Sequence, residues 1–97
     1  MIVERALMSI HPGQEADFEA AMTQAREVVA QARGFRSIRV TRGIENPSTY
    51  LLLLEWDTLE DHTVGFRESE LFTRWRGLIG QYFAEPPAVE HYTPIDA

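Results

Sequence analysis

The feature that most constrains this chain is a run of four consecutive leucines in the segment "YLLLLEW", Tyr50 to Trp56. Side chains on a β-strand point alternately to opposite faces, so Leu51 and Leu53 would face one way and Leu52 and Leu54 the other. Both faces of this strand are apolar. Any fold that includes it must therefore cover both faces.

The first half of the chain predicts a strand, a helix and a second strand. "IVERALMSI" is an apolar strand that Pro12-Gly13 ends. Between Glu15 and Arg33 the apolar positions recur at spacings of four and three, which predicts an amphipathic helix with Gly34 as its C-cap. These positions are Phe18, Met22, Ala25, Val29 and Ala32. "FRSIRVTRG" alternates apolar and polar residues and predicts a strand with one wet side.

The second half repeats the strand–helix–strand pattern. After the leucine strand, Thr58 and Asp61 form a capping-box-like start to a helix on which Leu59, His62 and Phe66 share one face. Ser69 is placed to cap a further helix, which the two prolines 86 and 87 prevent from continuing. The segment "AVEHYTPI" predicts a short final strand.

The order of elements predicts an α+β fold, the ferredoxin-like βαββαβ arrangement with a four-stranded antiparallel sheet, as one domain over residues 1–97. Its first and third strands are central, and these are the two most apolar strands here. Helices cover one face of such a sheet and leave the other bare. Exposing one leucine forgoes roughly 1.5–3 kcal/mol, against a total stability of about 5–15 kcal/mol. A homodimer with two sheets face to face, a dimeric α+β barrel, is the simplest cover.

Charge and composition limit the partners. Fifteen acidic against nine basic residues give a formal net charge of −6, which argues against nucleic acid and anionic membranes. The chain has no cysteine, so thiol and disulfide chemistry are excluded. We expect a cytoplasmic protein, because neither a signal peptide nor an apolar run of ~20 residues is visible.

Three stretches resemble the antibiotic biosynthesis monooxygenase family of dimeric α+β barrel proteins. They are "HPGQEADFEAAM", "GFRSIRVTRG" and "WDTLEDHTVGFRESELFTRWRGLIGQYF" with the following "PPAVEHY". The resemblance covers nearly the whole chain. It implies oxidation of a small aromatic or hydroquinone substrate with O₂. No cofactor is needed, because the substrate itself supplies the electrons.

The same resemblance directs attention to candidate site residues. His62, in "EDH", is the candidate base, and the alternative is a core histidine satisfied by a backbone carbonyl. Arg76 is the candidate group for an anionic intermediate or a substrate carboxylate, and the alternative is a surface arginine paired with Glu70. Aromatic residues are candidates for the substrate pocket, or else simply form the core. They are Trp56, Phe66, Phe72, Trp75 and Tyr82.

Other chemistries have less support. The three histidines, His11, His62 and His91, show no metal-ligand spacing, so no metal is expected, and His91 is interpreted as structural or at the dimer interface. The haem-degrading relatives use an asparagine, a tryptophan and a histidine where the resemblance puts Ala6, Phe66 and Arg76, which disfavours haem degradation. A non-catalytic dimer that binds a small hydrophobic ligand remains the alternative from a different class.

Overall fold

The computed structural model describes residues 1–97. The elements are β1 (Ile2–Ser9), α1 (Glu15–Val29), β2 (Phe35–Arg42), β3 (Thr49–Trp56), a π-helical turn (Asp61–Phe66), α2 (Glu70–Ile79), a 3₁₀ turn (Gly80–Tyr82) and β4 (Ala88–Tyr92). The four strands form one antiparallel sheet in the order β2-β3-β1-β4. The predicted ferredoxin-like fold is confirmed, with the first and third strands central. Neither α-helix is long and apolar enough to cross a membrane.

The leucine strand divides its side chains between the two sheet faces as predicted. Leu52 and Leu54 are buried between the sheet and the helices, where they join Phe18, Val29 and Ile79 in the hydrophobic core. Leu51 and Leu53 lie half-buried on the opposite face, which no helix of this chain covers. The fold therefore leaves an apolar strip at the centre of its open sheet face.

Helix α1 is shorter than predicted. It ends at Val29 with Ala30 as its C-cap, four residues before the predicted end at Arg33. The N–H groups of Gln31 and Ala32 bond three residues back, so the chain tightens and turns toward β2. Ala30, Gln31 and Arg33 are exposed, and Ala32 alone of these four residues still packs on the core. The final strand is also shorter and ends at Tyr92.

The predicted helix after Thr58 is instead a π-helical turn over Asp61–Phe66. The Thr58 hydroxyl does accept a hydrogen bond from the Asp61 N–H at 3.1 Å, as the capping pattern predicted. The predicted shared face is wrong for Leu59, which is 39% exposed while His62 and Phe66 are each 3% exposed. Leu59 lies before the π turn, whose wider winding shifts it out of line with His62 and Phe66, while these two stay on the buried side.

Gly34 is held between β2 and the π turn. Its φ is +81°, a region that side chains rarely adopt, and the Asp61 side chain fills the space where a Cβ would lie. We expect Gly34→Ala to lower the free energy of unfolding by about 1–3 kcal/mol, measured by urea denaturation.

Gly77→Ala is the matched control for that substitution. Gly77 lies inside α2 with open space around its missing Cβ. Alanine there should raise stability by roughly 0.5–1 kcal/mol. A Gly34→Ala protein as stable as the wild type would contradict the interpretation that Asp61 and the positive φ leave no room for a side chain here.

Candidate functional site

The π turn places the His62 side chain inside the protein. The Arg67 N–H donates to the His62 carbonyl oxygen, five residues back, at 3.1 Å. The imidazole stacks on the indole of Trp56, with ring centroids 5.2 Å apart and planes at 23°. Such π turns often occur at functional sites. His62 is thus a buried imidazole packed against the end of the central strand β3.

Both ring nitrogens of His62 face polar groups of the protein. Nδ1 lies 2.8 Å from Nε2 of His91, and Nε2 lies 3.4 Å from Oε1 of Glu4. The register of β1 with β4 sets Glu4 directly opposite His91, so the sheet brings the two together on its helix-covered face. The structure therefore does not show the alternative, a histidine whose ring bonds a backbone carbonyl. Three titratable side chains meet here.

Glu4 is a carboxyl group on a central strand at a core position, only 5% exposed. Its Oε1 accepts a hydrogen bond from the indole N–H of Trp56 at 3.0 Å. Burial raises the pKa of Glu4, and the Trp56 hydrogen bond and the Arg67 charge only partly oppose this effect. The carboxyl group therefore holds a proton more readily than an exposed glutamate does.

The pKa values of the two histidines are lowered. Burial, with smaller contributions from the charge of Arg67 and from His91, lowers the pKa of His62 to about 4. Burial and Arg67 also lower the pKa of His91. A neutral imidazole can accept and donate a proton at the same time, whereas an imidazolium ion can only donate. At neutral pH His62 is therefore uncharged.

A cavity of about 340 Å³ opens beside this cluster, between the sheet and α2. A volume of this size suits a small-molecule ligand. Most of its wall is aromatic and aliphatic, and four titratable side chains interrupt it. These four are Glu4, His62, Arg67 and Arg76.

Two arginines lie at the cavity without a carboxylate partner. Neither Arg67 nor Arg76 forms an ion pair with any acidic group, including Glu70. The Arg76 guanidinium instead sits over the rings of Phe72 and Phe83, 5.9 Å from each centroid. A guanidinium over aromatic rings is held by a cation–π contact that leaves its N–H donors free. The cavity thus carries unpaired positive charge in a protein with a net charge of −6.

Five of the seven residues predicted from the sequence line the cavity, and two do not. The five are His62, Phe66, Phe72, Trp75 and Arg76. Trp56 is fully buried beneath the His62 ring, where it supports the imidazole without reaching the cavity. Tyr82 packs its ring against Phe18 under α1, 6.3 Å between centroids, and so faces away from the cavity.

Sequence reasoning missed Glu4, Arg67 and His91. The signal for Glu4 was present, because its position alternates with Ala6 and Met8 and so puts a charged group on the buried face of a central strand. His91 alternates in the same way with Val89. No three of the acidic and histidine side chains are arranged to hold a metal ion.

Comparison with known proteins identifies the family. The model of the antibiotic biosynthesis monooxygenase family matches residues 1–78. YczJ, an uncharacterised protein of Bacillus subtilis, is 37% identical over 95 residues, which cover 98% of this chain and 100% of YczJ. Both comparisons extend over most of the chain.

Solved structures agree with this assignment. A candidate antibiotic biosynthesis monooxygenase from Bordetella bronchiseptica is 45% identical, with a TM-score of 0.94 over 97% of this chain and 96% of that one. A monooxygenase of Streptomyces coelicolor, solved in complex with nanaomycin D, is 17% identical, with a TM-score of 0.81 over 99% of this chain and 88% of that one, and shows the shared fold. From the family model and the two more similar proteins, we conclude that the chain belongs to the antibiotic biosynthesis monooxygenase family.

Proposed function

We propose that this protein is a cofactor-independent monooxygenase that oxidises a small aromatic or hydroquinone-type substrate with O₂. The observation that carries the proposal is an apolar cavity with a buried Glu4–His62 pair in its wall and two unpaired arginines beside it. Family membership and relatives named as monooxygenases support it. The bound nanaomycin D of the Streptomyces coelicolor protein supports a polycyclic aromatic as the kind of ligand.

The chemistry needs three things that this cavity offers. A phenol must lose its proton so that the anion can transfer an electron to O₂, and one phenol with one O₂ then gives one quinone and one water. Proton removal requires a base in the wall, which the Glu4–His62 pair supplies. The developing negative charge requires donors that stay oriented, which Arg67 and Arg76 supply. The apolar wall keeps water from the reactive intermediate.

Oxygen consumption tests the proposal. A panel of hydroquinones and hydroxynaphthalenes should give O₂ uptake with wild-type protein. His62→Gln should lower kcat/KM about a hundredfold or more, because the Glu4–His62 pair that accepts the proton is broken. His11→Gln is the matched control, since His11 is exposed and lies outside the cavity. Equal rates for His62→Gln and wild type would remove His62 from the mechanism.

A specific observation favours a second candidate, a non-catalytic protein that binds a hydrophobic small molecule. Both ring nitrogens of His62 already face protein groups, so none is free for a ligand. Such a protein should bind the same aromatics, detected through the fluorescence of Trp75 in the cavity wall, without any O₂ uptake. Binding without uptake over the whole panel would decide for this candidate.

We also infer that the protein is a homodimer joined through its open sheet face. Residues of β1 and β3 make this face apolar at its centre: Val3, Leu7, Leu51 and Leu53, all half-buried in the single chain. Arg5 lies on the same face, and its Nε is buried without a hydrogen-bond partner. A buried unpaired donor is costly, so a second chain that supplies an acceptor here would stabilise both copies.

A further inference from the structure

We propose that Glu4 takes the substrate's proton and that His62 and His91 carry that proton between the cavity and solvent. The inference rests on the proposed oxidation and assigns to His62 the role of a relay rather than that of the direct base. It gives a function to His91, which does not line the cavity.

The geometry favours Glu4 as the group that meets the substrate. An imidazole has two nitrogens, and those of His62 face His91 and Glu4. Glu4 lines the cavity, and only its Oε1 is engaged, by the Trp56 indole and the facing His62. Its Oε2 makes no hydrogen bond within the protein and is not fully enclosed. Oε2 is therefore the oxygen open to a ligand.

Each of the two polar contacts of His62 needs one proton, because two unprotonated acceptor atoms would repel each other. The 2.8 Å contact between Nδ1 of His62 and Nε2 of His91 is a full hydrogen bond, whereas the 3.4 Å from Nε2 to Glu4 is longer than a typical one. The relay assigns one proton to Nδ1 of His62, which donates to His91, and one to Oε1 of Glu4, which faces the bare Nε2. The Nε2–Glu4 contact shortens when the Oε1 proton moves toward Nε2.

Proton movement along this chain balances. A substrate proton binds Oε2 of Glu4 as the Oε1 proton passes to Nε2 of His62, the Nδ1 proton of His62 passes to Nε2 of His91, and the Nδ1 proton of His91 leaves to solvent. Glu4 stays neutral, now protonated on Oε2, and both rings remain neutral, in the opposite tautomer. The oxidation of a phenol by O₂ releases no net proton: the Oε2 proton leaves with the departing water, and one proton returns from solvent through His91 and His62 to Oε1, which resets all three groups.

The surroundings of the two histidines fit a relay of neutral imidazoles that ends at solvent. His91 is partly exposed on the edge strand β4, while His62 is 3% exposed. The Arg67 charge bears on Glu4, His62 and His91 and disfavours a cationic ring at either histidine. A chain of neutral imidazoles avoids placing a charge in the low-dielectric interior.

Turnover in dilute buffer tests whether His91 passes the proton to solvent. His91→Ala should lower kcat about tenfold or more while leaving KM unchanged, and added imidazole should restore the rate. His11→Ala should change neither value. Glu4→Gln keeps an acceptor for Trp56 and should lower kcat about a hundredfold or more. Full turnover of His91→Ala in dilute buffer, or of Glu4→Gln, would overturn the assignment.

A second measurement separates failure of the relay from failure of the proposed oxidation. In ¹⁵N-labelled protein at pH 7 without substrate, the nitrogen shifts should report two neutral rings, with the His62 proton on Nδ1. His91→Ala should move the His62 signals, and His11→Ala should not. A cationic His62, or one protonated on Nε2 alone, would overturn the relay even in an enzyme that consumes O₂.

Discussion

Replacing Leu51 with aspartate should convert the proposed homodimer into a monomer. Leu51 lies opposite Leu7 of β1 on the open sheet face, at the centre of the proposed interface. Burial of one leucine contributes roughly 2 kcal/mol, and a two-fold interface loses that amount twice, which weakens the dimer about a thousandfold. Desolvation of the two new carboxylates adds to the loss. Sedimentation velocity at micromolar concentration measures the change.

Ile44→Asp is the matched control for this experiment. Ile44 is 88% exposed in the turn between β2 and β3, away from the open sheet face. The control should sediment as a dimer, like the wild type. A wild-type protein that is monomeric at micromolar concentration would contradict the interface, and so would a dimeric Leu51→Asp protein.

His62 should make the protein less stable toward acid pH. The native pKa of His62 is about 4, and that of an unfolded histidine is about 6.5. Between these values the unfolded chain binds a proton that the native protein does not, so His62 makes stability fall as the pH is lowered from 6.5 to 4. The full shift corresponds to about 3 kcal/mol. Urea denaturation at pH 7, 5.5 and 4.5 should give a shallower decline for His62→Gln than for wild type.

Glu4 contributes to that profile with the opposite sign. Its pKa is raised in the native protein, so above the usual value of 4.5 the native state keeps a proton that the unfolded chain has lost. Stability from this group therefore falls as the pH rises through its native pKa. Glu4→Gln should make the decline toward acid steeper than in wild type. Parallel curves for wild type and both variants would contradict the shifts of both groups.

Most of the fold could be predicted from the sequence, because hydrophobic spacing is a local property. The alternation of the leucine strand and the stripe of α1 each identify an element and its buried face without knowledge of the rest. The end of α1 could not be predicted in this way. Residues 30–33 are compatible with a helix, and the need to turn into β2 ends it.

The candidate site was predictable only in part. The position of His62 on a buried face follows from local spacing, and so does the aromatic surface near it. Its partners do not, because Glu4 and His91 lie on β1 and β4, and only the register between those strands brings them together. A carboxyl group at a buried strand position is the one local sign of such a cluster.

The π turn has a consequence for the robustness of the cavity. An α-helical winding of residues 61–66 would normally be preferred, so the wider turn persists through the contacts of His62 with Trp56, Glu4 and His91. Phe66 ends the same turn and forms part of the cavity wall. One set of contacts thus fixes both the His62 side chain and the shape of the cavity. Evolution cannot readily lose this histidine and keep the cavity as it is.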